Sequence, residues 1–169
     1  LGEAIAYDRT KTPIVRYREG LKLVRQAAGP DVFILGCNVS QNMRTLGESF
    51  GLLDAMRIGP DNGPDMNSLK AGPWHGSNRY FLHGRVWYND PDPVYLRASM
   101  PLEHSQLICS WVALSGQLTV MSDWLPELPA ERLDIAKRIL PNHGLKARPV
   151  DLFEHDLPQV WILTDTRSG

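Results

Sequence analysis

The chain has 169 residues, 43% hydrophobic and 22% charged, with a formal net charge of −1. That length predicts one ordinary domain, and the composition is that of a folded globular chain, not a disordered one. Without a basic run or a Lys/Arg stripe there is no electrostatic case for a nucleic-acid partner. No apolar run reaches the ~18 residues of a membrane-spanning helix, so no membrane partner is expected either.

The N-terminus, Leu1-Gly2-Glu3-Ala4, has no initiator Met, no charged leader and no long apolar stretch. We expect a piece or processed form of something longer with no visible signal peptide, which leaves the compartment open. Ile14, Tyr17, Leu21, Val24 and Ala28 recur at spacings of three and four, one face of a helix. Pro13 suits its first turn and Gly29-Pro30 its end. Val32-Phe33-Ile34-Leu35-Gly36-Cys37 follows, a continuous apolar run of the kind buried in a parallel sheet.

Residues 52–58, 84–88 and 117–122 are three further predicted strands. Between them the pattern predicts a helix within 67–82, interrupted at Gly72-Pro73, and another facing inward through Leu107, Ile108, Trp111 and Leu114. A last helix opens at Pro129 and stops at Pro141. Short apolar strands alternating with helices make βαβ units and a parallel α/β sheet. About four such units occupy residues 1–147, half of the eight that close a (β/α)8 TIM barrel. Residues 148–169 change character. Two strands, at 149–153 and 159–163, have no helix between them and read as the start of an antiparallel β-sandwich or a tail. The two cysteines, Cys37 and Cys109, sit in apolar stretches and read as buried free thiols.

Parallel β/α folds bind ligands at the C-terminal ends of their strands. After the first strand comes Asn38, with Ser40 and Gln41 nearby. After the second come Arg57 and Asp61, within Gly59-Pro60-Asp61-Asn62-Gly63-Pro64. After the third comes Trp87-Tyr88-Asn89-Asp90-Pro91-Asp92, and after the fourth Ser122-Asp123-Trp124. Each acid alone reads equally well as a turn former, and each tryptophan alone as core. Their convergence at one end of four strands points to a site. Carboxylates beside flat aromatic platforms such as Trp87 and Trp124 suit a sugar, whose hydroxyls need acceptors and whose ring faces pack on aromatics. Glycoside hydrolysis requires a pair of carboxyl groups.

Asp54-Ala55-Met56-Arg57-Ile58-Gly59-Pro60-Asp61 followed by Trp87-Tyr88-Asn89-Asp90-Pro91-Asp92 resembles the α-galactosidase (melibiase) group of retaining glycoside hydrolases. There an Arg-x-x-x-Asp ends the sixth barrel strand and a Trp-x-Asn-Asp-Pro-Asp the seventh. The resemblance runs from about Tyr17 to Leu163 and implies the C-terminal half of the catalytic barrel, cleaving α-linked sugars with retention. It implies Asp61 as general acid/base, which must hold its proton near neutral pH. It implies Arg57, Asp90 and Asp92 as binders of sugar hydroxyls, and Cys37 and Asn38 as readers of the 2-substituent. Asn38 departs from the Glu common in galactosidases at that place. The family's nucleophile, an Asp in a Lys-x-Asp element on the fourth strand, is expected upstream of Leu1. Asp8 lacks the strand context for that role.

The five histidines form no His-x-x-x-His or His-x-His, so no metal is expected. With no nucleophile elbow, Gly-x-Gly-x-x-Gly or P-loop, neither a serine triad nor a nucleotide cofactor is expected. The competing reading is not an enzyme. A half-barrel has open sheet edges that a second copy or the missing N-terminal half must cover. Such a homo-oligomer could bind carbohydrate without cleaving it.

Overall fold

The computed structural model describes residue 5, residues 7–37 and residues 47–165. Helix α1 spans Pro13–Ala28, with Thr12 as N-cap and Gly29, at φ 88°, as C-cap. Strand β1 is Leu35–Gly36, β2 Ala55–Arg57 and β3 Tyr88–Asp90. Helix α2 is Met66–Asn78, α3 Leu102–Ser115 and α4 Ala130–Ile139. An antiparallel pair, β4 (Arg148–Pro149) and β5 (Trp161–Ile162), follows.

β1, β2 and β3 form a parallel sheet in that order, with Leu35, Ala55 and Tyr88 in one row. The next row is Gly36, Met56 and Asn89, and Arg57 pairs with Asp90. Because successive side chains alternate faces, Met56 and Asn89 point one way and Ala55, Arg57, Tyr88 and Asp90 the other. Met56 joins Leu53, Leu82 and Trp87 in a core on the first face. β1 approaches that core through Gly36, where a Cβ would lie 2.7 Å from Leu53 Cδ1. On the opposite face Phe33, Leu35 and Tyr88 are exposed, while Ala55 and Asp90 are buried. A second core holds α2, α3 and α4 together through Leu69, Ile108, Val112, Ala136 and Ile139. Trp161 of β5 packs edge-on against Trp111 of α3, which seats the antiparallel pair on this core.

Several sequence expectations need correction. Leu107 and Leu114, expected to face inward, are exposed in α3, and of the run 32–37 only Leu35–Gly36 is strand, with Val32, Phe33 and Leu35 exposed. The predicted third strand begins at Tyr88, not Gly84. Gly84 takes φ 63° and its N–H bonds Trp87 O, so residues 84–87 form a turn. The fourth is not a regular strand. It reaches β3 and its extension through the Leu118 N–H to Asn89 O, the Val94 N–H to Val120 O and one parallel bridge between Val94 and Met121. α2 runs unbroken through Pro73, whose carbonyl accepts the Ser77 hydroxyl at 2.6 Å. α1 is helical as predicted, yet none of its residues is buried. Polar ties hold it instead: Arg18 donates to Glu48 O, and Arg25 pairs with Asp54 at 2.5 Å. Asp54 also accepts the Ile34 N–H, so one carboxylate joins α1, β1 and β2.

Candidate functional site

The site is built where β2 and β3 end. β2 finishes at Arg57 and β3 at Asp90, and the Ile58 N–H continues the ladder onto Asp90 O. Past Asp90 the chain turns at Pro91 and puts Asp92 in the left-handed region, at φ 80°. For a non-glycine residue that conformation costs energy and persists only where the surroundings hold it. Asp90 holds it from below: its Oδ1 accepts the Asp92 N–H at 2.9 Å.

Arg57 then joins two carboxylates. Its Nη2 lies 2.6 Å from Asp92 Oδ1 and 2.8 Å from Asp61 Oδ1. The partners differ sharply in exposure, the Asp92 side chain at 7% and the Asp61 side chain at 89%. The other Asp92 oxygen accepts the Asn62 N–H at 2.5 Å. Burial pushes the Asp92 carboxyl above its ordinary value, and Asp61 and Asp90 push the same way. The Asn62 N–H and the Arg57 guanidinium oppose this without cancelling it. The buried Arg57 Nε has no protein partner.

Further groups surround this cluster. The Tyr95 hydroxyl lies 3.4 Å from Asn62 O, and Arg97 stacks over the Tyr95 ring at 4.7 Å. Asp123 anchors Arg97 at 2.7 Å and accepts the Leu96 N–H as well. Beneath the site Arg79 donates to Ile58 O at 2.6 Å and contacts His75 Nδ1 at 2.7 Å. Burial and the Arg79 charge hold the His75 imidazole below its ordinary value, so it is neutral at pH 7.

Asp61, Arg57 and Asp92 are thus brought together, though in neither of the two clefts at the other end of the strands. Asp90 is close by but buried, with an oxygen turned into its own loop. Trp87 must be corrected. It precedes β3 on the helix-facing side, is 3% exposed, and packs on Phe50 with ring centroids 5.0 Å apart. Its indole N–H donates to Asn89, so it is core and not a platform. Trp124 is exposed, and Cys37 is also exposed just past β1, so of the two cysteines only Cys109 is buried. Asn38 lies outside the described residues. Asn62, Tyr95 and Arg97 were not singled out from sequence. No pattern marks them, because each acts through a residue on another loop.

Two clefts, of about 440 and 310 Å³, open at the other end of the strands, beside Gly84, Tyr88 and Gly116 in one case and Phe33, Asp54 and Trp87 in the other. The Arg57 cluster lies in neither and meets solvent through Asp61. Among the described residues no group of three or more His, Cys, Asp or Glu could hold a metal ion, and no helix is long and apolar enough to cross a membrane. The cluster is thus one guanidinium held between a buried and an exposed carboxylate, with only the Asp61 end free to meet a ligand from solvent.

No protein-family model matches the chain. The fold, α/β with a parallel three-stranded sheet, is nevertheless glycoside hydrolase-like. It is similar to a solved α-galactosidase from Thermus thermophilus, in complex with stachyose, with a TM-score of 0.57 and 25% identity. The match covers 77% of this chain and 30% of that one, so the chain spans under a third of the enzyme it resembles.

Proposed function

We propose that the chain forms the C-terminal half of a (β/α)8 barrel of an α-galactosidase-like enzyme that cleaves α-linked sugars with retention. The observation that carries this reading is the convergence of Asp61 and Asp92 on one nitrogen of Arg57. Asp61 is the acid/base: its carboxyl faces the open mouth, and enclosure by the other half of the barrel supplies the burial it needs to hold a proton for the glycosidic oxygen and later take one from water. Arg57 and Asp92 bind the sugar hydroxyls, with Asp90 behind them, and Cys37 and Asn38 read the 2-substituent. The nucleophile belongs to the other half of the barrel, which would also cover the open sheet face and enclose the site. Residues 148–169 begin a β-sandwich.

The test is release of nitrophenol from an aryl α-galactoside by the full-length protein, which carries the nucleophile as well. Turnover that Asp61→Asn lowers about 100-fold or more supports the acid/base role, and turnover indifferent to that change refutes it. A second reading, a non-catalytic half-barrel that pairs with its own copy, draws on the exposed Phe33, Leu35 and Tyr88. It expects a dimeric mass by light scattering, no turnover, and galactose binding that Asp92→Asn abolishes. A full-length protein without turnover refutes the first reading, and a chain that binds no galactose refutes the second.

A further inference from the structure

We infer that Asn62 is the positioning residue of this site: its side-chain amide clasps the loop after β3 on both sides of Asp92 and so seats that carboxylate on Arg57. The amide Nδ2 donates to Pro91 O at 3.2 Å and to Pro93 O at 3.3 Å, the two carbonyls that bracket Asp92 in the chain. The backbone N–H of the same residue binds Asp92 Oδ2, and its carbonyl takes the Tyr95 hydroxyl. One residue of the loop after β2 therefore grips four points of the loop after β3. It is 7% exposed, and its Oδ1 is buried without a partner. The side chain is thus present as a donor, and only the donating end of the amide can face two carbonyls. Asp92 needs such a clasp because φ 80° is not a conformation it keeps unaided.

The significance for sugar binding rests on the glycosidase reading, but the positioning itself does not. Asn62→Asp, nearly the same shape, sets carboxylate oxygens against the two carbonyls and should raise the Asp92 midpoint at least as far as Asn62→Ala does. Asn62→Ala removes the clasp without adding charge. Asp92 is followed by carboxyl-carbon NMR titration of the whole chain, with Asp92→Asn to assign the signal. In Asn62→Ala the Asp92 midpoint should rise by about half a pH unit or more as its N–H bond loosens. Asp54, at the other end of the strands, should titrate unchanged.

An unmoved Asp92 midpoint overturns the inference. So does an Asp54 midpoint that moves equally, which would mean general loosening, or failure of both variants to fold, which would make the clasp a stability element. A galactose titration separates the two claims. If the unmodified chain shows no galactose response while Asn62→Ala still moves Asp92, the glycosidase reading fails and the positioning stands. If galactose binds and Asp92 does not move, the positioning alone fails.

Discussion

Replacing Arg57 with Met keeps most of the side-chain bulk and removes the charge between the two carboxylates. The Asp61 contact contributes little, because a pair with one partner 89% exposed is worth about 0–1 kcal/mol. Asp92 is different: with its side chain 7% exposed, it would keep only the Asn62 N–H as an opposing influence from the loop after β2. Removing one partner of a buried pair costs about 3–5 kcal/mol. The loss here has a ceiling, since Asp92 can escape by taking a proton. From an ordinary value of 3.8, protonation at pH 7 costs about 1.36 × 3.2, or ~4.4 kcal/mol. With the remaining hydrogen bond discounted, we expect Arg57→Met to lose about 2–3 kcal/mol at pH 7.

The pH dependence has a definite sign. Asp92 already sits above its unfolded value, and without Arg57 it rises further. The folded state then holds a proton that the unfolded state has released, so the variant loses stability as pH climbs through 3.8 towards the folded value. Below that window both states are protonated and the deficit shrinks to about 0–1 kcal/mol. Urea unfolding of the unmodified chain and the variant, at about pH 3.5 and at pH 7, measures the difference directly. Adding Asp92→Asn should restore most of the loss at pH 7. An equal deficit at both pH values, or no recovery in the double variant, would refute the buried-pair account.

Three other outcomes follow from the same physics. Gly76→Ala should destabilise by up to about 2 kcal/mol, the overpacking cost of ~1–3 less a helix-propensity gain of ~1. Its Cβ would lie 2.5 Å from Trp111 Cζ2, so the cost should fall in a Trp111→Phe background, and strict additivity would disprove the contact. Burial holds His75 and His83 below their ordinary 6.5, so the unfolded chain takes up protons first as pH falls. Stability should be full above 6.5 and drop by about 1–2 kcal/mol towards pH 5, a window that His75→Gln with His83→Gln should flatten in chemical denaturation. Burial pushes the Cys109 thiol up to about 12, while Cys37 is exposed, so a disulfide reagent at pH 8 should titrate one thiol natively and two in denaturant.

Local sequence determined the helices and the residue types of the site. The period of three and four over Ile14 to Ala28, the proline and glycine at its ends, the pattern around Ile108 and the prolines Pro129 and Pro141 depend only on neighbours along the chain, and α1, α3 and α4 appear there. The Arg57-to-Asp61 spacing and the Asn89-Asp90-Pro91-Asp92 run identified the acids for a similar reason, because a strand end and its loop are contiguous.

Tertiary structure decided everything that depends on which strand lies beside which. The pairing of Ala55 with Tyr88 started β3 at Tyr88, and that choice of parity sent Trp87 into the core and Asp90 to the site side. No periodicity announces Asn62, because its partners lie about thirty residues away and belong to another loop. The contrast between an exposed Asp61 and a buried Asp92 likewise appears only in the fold, since burial is a property of what packs around a side chain and not of its neighbours in sequence.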